Sequence, residues 1–168
     1  ALFYLDETVT RFRVAAGGCA ELYGLKPDIV TYGKALGGGV PMAAIGGSHE
    51  IMSGLEWGKV LHFGTHNAGR LALHICKTML TTMLSDNQAG FVKIKDLGIK
   101  LTEEIQSISK TNNKNKMICQ GVNSMFQIFF TDQEKICNYR DFCRSVDRIK
   151  FRNFALKLFY KGIYMNPS

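Results

Sequence analysis

A short β-rich run, Ile29-Val30-Thr31-Tyr32, passes through Gly33 into Lys34-Ala35-Leu36 and then three consecutive glycines, Gly37-Gly38-Gly39. β-branched and aromatic residues favour a strand. The glycines beyond it open the backbone to close approach by a ligand. A lysine between the two is either a surface residue beside a flexible turn or an amine that the strand end delivers to a site. Desolvation at a buried strand end would favour its neutral, nucleophilic form. A phosphate-binding P-loop is excluded, because that motif needs glycine at position 28 and Ser or Thr at 35, where Asp28 and Ala35 stand.

The rest of the chain alternates between strand and helix patterns. Residues 1–5 are apolar and end in Asp6-Glu7, which predicts a fully buried strand with acids at its carboxyl end. Residues 14–24 predict a short helix closed by Gly24, and Val40 to Ile45 is apolar again. Leu71, Ile75, Met79, Leu80 and Met83 recur at helical spacing over 70–84, and Phe91, Ile94, Leu97, Leu101, Ile105 and Ile108 do so over 91–108. A polar loop follows at 111–116, then a strand over Met125–Phe130. One aromatic-rich helix is expected from Phe142 to Tyr160, with Gly162 as its C-cap and a further strand starting at Ile163-Tyr164-Met165. Trp57 and that helix are assigned to the core. The organisation changes near 85–92, so 1–89 and 90–168 are the expected domains.

With 46% hydrophobic and 21% charged residues, the 168-residue chain has a globular composition. No apolar run approaches the roughly 20 residues needed to span a bilayer, and the N-terminal segment lacks the basic region of a signal peptide. Of the net charge of +7, the first half carries +1 (seven Lys/Arg, six Asp/Glu) and residues 85–168 carry +6 (fourteen and eight). The basic residues fall along helix outer faces with no zinc-finger, RNP or KH motif, so a solvated surface rather than nucleic-acid binding is expected. The five cysteines, Cys19, Cys76, Cys119, Cys137 and Cys143, form no CxxC pair. That pattern fits reduced thiols in a cytoplasmic protein or the plastid stroma, and no metal site. Cys76 and Cys143 lie in apolar helical patterns and are expected to pack.

Three positions carry chemistry. Lys34 is the amine. Asp6 is either a solvated turn acid or a strand-end carboxylate placed to pair with a cationic ring nitrogen. Gly64-Thr65 is either a helix N-cap or a hydroxyl and amide pair placed for a phosphate. Amine, carboxylate and phosphate contact together are the protein groups that a pyridoxal phosphate site needs. His66 lies near the third and is either an anion contact or a loop histidine; His49, His62 and His74 suggest no metal motif.

The segment Leu5-Asp6-Glu7-Thr8-Val9-Thr10-Arg11-Phe12-Arg13 resembles a motif of the class III pyridoxal-phosphate aminotransferases. So do Tyr23-Gly24, Lys26-Pro27-Asp28, the block Thr31 to Pro41, Gly46-Gly47 and Glu50-Ile51-Met52. The likeness continues through Ser124-Met125-Phe126, Phe129-Phe130-Thr131, Asn138-Tyr139-Arg140-Asp141, Gly162 to Met165 and Pro167-Ser168, where it is strongest to the family's aminomutase branch. The resemblance implies an α/β fold: the C-terminal part of a fold-type-I large domain, a mixed sheet with helices, followed by a truncated small α+β domain. It implies a piece of a longer enzyme, expected to be weakly active or inactive alone. By the same resemblance Lys34 bonds pyridoxal 5'-phosphate covalently and moves protons, Asp6 pairs with the ring nitrogen, and Thr8 lies against the ring face. Thr65 would reach the cofactor phosphate of the neighbouring subunit of a homodimer. The substrate would be a small amino or keto acid. Three departures stand out: Thr8 where the family has Val, Arg11 where it has Gly, and Arg70 where it has Pro. Against an aminomutase stand an aminotransferase for another amine and keto-acid pair, and a remnant or interaction domain without catalysis.

Overall fold

The computed structural model describes residues 1–56, 58–111 and 116–166. Trp57, residues 112–115 of the polar loop and Pro167-Ser168 lie outside the described residues. The chain divides into two compact units, Ala1–Lys95 and Asp96–Ser168.

The first unit is built on a mixed three-stranded sheet. Strand β1 (Tyr4–Asp6) runs into helix α1 (Gly18–Tyr23), which crosses over to β2 (Ile29–Tyr32). The crossover lets β1 and β2 pair in parallel, with Asp6 opposite Thr31. Strand β3 (Ala44–Gly47) pairs antiparallel on the far edge of β2, with Thr31 opposite Ile45. Helices α2 (His49–Glu56) and α3 (Arg70–Leu84) follow. α1 ends as its sequence dictates, on Gly24 in the left-handed region at φ 63°. Strand β1 departs from the fully buried strand expected of residues 1–5. It starts at Tyr4, and Leu2, Phe3 and Tyr4 are exposed, because β2 is its sole sheet neighbour among the described residues. The short 3₁₀ turn Lys34–Gly37 after β2 ends on Gly38 at φ 56°. A side chain at Gly38 would come within 3.0 Å of Met79, so α3 packs directly on the turn that follows Lys34.

Helix α4 (Ala89–Thr111) contains the division between the units, beyond the expected 89/90 boundary. In the second unit, β4 (Met117–Val122) and β5 (Met125–Phe130) form an antiparallel hairpin through Asn123-Ser124, with Asn123 at φ 52°. Helices α5 (Tyr139–Ser145) and α6 (Arg148–Phe159) complete it. The single helix expected over Phe142–Tyr160 is thus two. The chain leaves the helical region at Val146-Asp147, and the Asp147 carboxylate accepts the Lys150 amide at 2.9 Å to start α6. Ile163–Met165 forms no strand. The Ile163 amide instead donates to the Leu158 carbonyl to close α6, and Met165 packs on the core. That core gathers Cys119, Ile128, Phe130 and Phe151, with Ile105 and Phe154 against it. Phe159 and Cys143, both expected to pack, are exposed, whereas Cys76 is buried.

Among the described residues, no helix is long and apolar enough to cross a membrane.

Candidate active site

Parallel pairing of β1 with β2 sets Asp6 beside Thr31. One carboxylate oxygen, Oδ1, collects three donors: the Thr8 hydroxyl, the Thr8 amide at 2.9 Å and the Thr31 hydroxyl at 3.0 Å. Oδ2 takes none of these. The Thr8 hydroxyl, then the Thr8 amide and the Thr31 hydroxyl, hold the Asp6 carboxyl below the usual carboxylate range, and the Lys34 ammonium adds to this. Asp6 is therefore an exposed, ionised carboxylate with one oxygen held by three hydrogen bonds and the other outside them. Of the two readings of Asp6, its exposure agrees with a solvated acid, and hydrogen bonds from Thr8 and Thr31 keep it at the strand end.

Lys34 stands two residues beyond β2. It is exposed rather than desolvated, because it precedes the glycine turn at the surface. Its backbone sits at φ 44°, a left-handed conformation that costs a non-glycine residue about 1–2 kcal/mol. Such strain marks positions that the surrounding structure holds in place. Gly33, just before Lys34, makes room for Thr8: a Cβ there would lie 2.8 Å from the Thr8 Cγ2 methyl. Thr8 thus reaches Asp6 with its hydroxyl and Gly33 with its methyl. The hydroxyl that distinguishes it from valine has a partner.

Glu7, next to Asp6, went unassigned in the sequence and is the most deeply buried large side chain among the described residues, at 0% exposure. Its carboxylate accepts the Cys19 amide at 3.0 Å, the Ala20 amide at 2.7 Å and the Thr10 hydroxyl. These amides open α1, so Glu7 fastens the loop after β1 to that helix. A side chain on Gly18, at φ 66°, would collide with the Glu7 carboxylate. Two adjacent acids at a strand end carry no sequence signal for which one turns inward; Gly17-Gly18 ahead of the helix was the available hint.

Thr65 lies in an exposed turn over residues 65–68. The N-cap of α3 is Gly69, so Thr65 is not the helix cap that one reading of the sequence allowed. Among the described residues no hydrogen bond ties it to Asp6, Thr8 or Lys34 of the same chain. Its neighbours Gly64 and His66 line an open cleft of about 1000 Å³, together with Met42, Ile45, His62 and Phe63. Thr31 borders the same cleft and also supports Asp6, which links the cleft to the carboxylate.

The family model for class III aminotransferases matches residues 1–167. The chain belongs to the class III aminotransferase family. It is similar to the glutamate-1-semialdehyde 2,1-aminomutase of Clostridium kluyveri, at 38% identity over 100% of this chain and 39% of that protein. The enzyme of the same name from Thermus thermophilus is 37% identical over 99% of this chain and 39% of its own length. The chain therefore spans about 39% of the length of these relatives. Among solved structures, an omega-transaminase from Sphaerobacter thermophilus superposes with a TM-score of 0.84 at 23% identity, covering 99% of this chain and 38% of that one. A structure described as a transaminase with PLP bound gives 0.81 at 22%, covering 100% and 38%. At that identity the likeness establishes the α/β fold shared with these class III transaminases.

Proposed function

We propose that this chain is the part of a pyridoxal-phosphate-dependent aminomutase that carries its covalent lysine, and that the reaction converts glutamate-1-semialdehyde to 5-aminolevulinate. The observation that carries the cofactor assignment is the Asp6 carboxylate: exposed, ionised and anchored through Oδ1, with Oδ2 outside those bonds. The residues present fit the group. An ionised carboxylate with one oxygen outside its hydrogen bonds suits a protonated ring nitrogen, an exposed amine stands within its electrostatic reach, and Gly33 leaves room for the Thr8 methyl. Pyridoxal phosphate, when bound, supplies an electron sink for breaking bonds at the amine-bearing carbon.

The roles of the chain's own residues follow. Asp6 Oδ2 holds the proton on the ring nitrogen. Thr8 and Thr31 fix Asp6 so that this oxygen keeps one direction. Lys34 Nζ makes the covalent attachment and carries protons to and from the substrate carbons. Thr65, exposed and unconnected to Lys34 within its own chain, contacts the cofactor phosphate of a neighbouring copy in a homodimer. The names of the aminomutase relatives favour that reaction over an ordinary transamination. Five free cysteines suit a reducing location such as the cytoplasm.

Product analysis on the protein carrying this segment tests the reaction. With glutamate-1-semialdehyde as sole substrate, 5-aminolevulinate is expected without any keto-acid acceptor. Turnover only when an amine and a keto acid are both supplied would replace the aminomutase by an aminotransferase.

A further inference from the structure

We propose that Arg11 is a positioning residue: its guanidinium ties the loop that carries Asp6 and Thr8 to the strand end that carries Lys34. The inference rests on the proposed roles of Asp6 and Lys34, but its geometry stands without them. The Arg11 Cζ lies 5.2 Å from the centroid of the Tyr32 ring and 5.6 Å from that of Phe12, both within cation–π range. Its Nη1 donates to the Gly17 carbonyl at 2.8 Å, just before α1. Its backbone amide donates to the Glu7 carbonyl at 3.1 Å. One side chain therefore joins three segments: the loop after β1, the start of α1 and the end of β2.

Tyr32 is the half of this contact that matters for Lys34. It is the last residue of β2, separated from Lys34 by Gly33 alone. Its ring is held from another side by β3, where a Cβ on Gly46 would come within 3.3 Å of Tyr32 Cε2. The ring is thus close to both the guanidinium and the Gly46 backbone, which restricts the strand end from which Lys34 departs. The Arg11 Nε is buried with no hydrogen-bond partner, an arrangement that carries a desolvation cost. The two ring contacts and the Gly17 bond oppose that cost. A glycine at position 11, as in the motif the sequence resembles, offers none of these contacts, so this chain has a link between its carboxylate and its amine that a glycine cannot make.

The test compares Arg11→Met, which keeps the apolar stem and removes the guanidinium, with Arg11→Lys, which keeps a cation for the rings, and with Arg11→Gly. The first readout is hydrogen exchange without cofactor. The Thr8 amide, bonded to Asp6, and the Leu36 amide, bonded to the Gly33 carbonyl, report the two ends of the link. In Arg11→Met and Arg11→Gly both exchange about tenfold faster, the scale of two lost cation–π contacts, while amides between β2 and β3 keep their rates. Arg11→Lys recovers part of the loss. The second readout is titration with pyridoxal phosphate, in which Arg11→Met binds about tenfold more weakly by visible absorbance, on the same reasoning. Unchanged exchange at Thr8 and Leu36 overturns the proposal. So does faster exchange spread evenly over the whole first unit, since Arg11 would then be merely structural. No visible band in the unsubstituted protein would remove the cofactor assignment and leave the exchange measurement to decide the role of Arg11.

Discussion

Replacing Glu7 tests how the site is held. In Glu7→Ala, the amides of the half-buried Cys19 and Ala20 lose the fully buried carboxylate that accepts from them, and the Thr10 hydroxyl loses its own acceptor. A buried donor left unsatisfied costs about 1–3 kcal/mol, so two amides alone put the loss at about 2–6 kcal/mol before any cavity is counted. Glu7→Gln keeps the shape and one acceptor oxygen. Its NH₂ must face either the Ala20 amide or the Cys19 amide, so one amide is orphaned and the cost falls to about 1–3 kcal/mol. Urea unfolding followed by circular dichroism gives the totals, and hydrogen exchange of peptides covering β1 and α1 localises them. At tenfold per 1.4 kcal/mol, exchange there rises about a hundredfold or more in the alanine variant and roughly tenfold in the glutamine variant. Peptides from β4 and β5 keep their rates. Equal stability of Glu7→Ala and the unsubstituted protein, or a glutamine variant weaker than the alanine one, would refute the assignment of Glu7 as the acceptor that holds this loop.

Gly33→Ala forces a methyl to 2.8 Å from the Thr8 methyl and costs about 1–3 kcal/mol by overpacking, read as a lower Tm. Adding Thr8→Ser removes the opposing methyl and restores most of it; a double variant no better than the single one would place the conflict elsewhere. Thr8→Val removes the largest cause of the lowered Asp6 ionisation, so the carboxyl midpoint followed by carbon NMR moves up toward the ordinary 3.8. Because the folded value is depressed, the carboxylate's contribution is fully present above pH 3.8 and is lost as pH falls through that lower value. The Thr8→Val variant loses it at a higher pH, and an unmoved midpoint would contradict the geometry. In the second unit, Ile128→Ala empties a core position only 3% exposed and costs about 3 kcal/mol in urea unfolding.

The long amphipathic helices were legible because their apolar spacing spans many turns: α3 begins and ends where residues 70–84 predicted, and Cys76 faces inward. β2 and β5 were legible from their β-branched and aromatic content. β4 was not, because Gln120 and Gly121 interrupt its apolar pattern. Its pairing with β5 supplies what the local pattern lacks. The α5–α6 break was missed because the apolar spacing runs through it, whereas Asp147 decides it by capping the second helix. At the candidate site, Asp6 and Lys34 could be singled out by type and position, and Thr8 only by its place in the motif that the sequence resembles. Thr31 and Glu7 could not, since Thr31 supports Asp6 only through the strand register, and burial of Glu7 depends on a helix start twelve residues away. Arg11 stood out as a departure from a motif, but its contacts with Tyr32 exist only in three dimensions.

The central claim is that Lys34 is the residue that bonds the cofactor. Adding pyridoxal phosphate to the full-length protein that carries this segment, recording the visible spectrum, reducing with borohydride and mapping the modified peptide by mass spectrometry tests it most directly. A visible band and a reduced adduct on Lys34 are expected, with loss of both in Lys34→Ala. A band that persists in Lys34→Ala, or an adduct on another lysine, would contradict it.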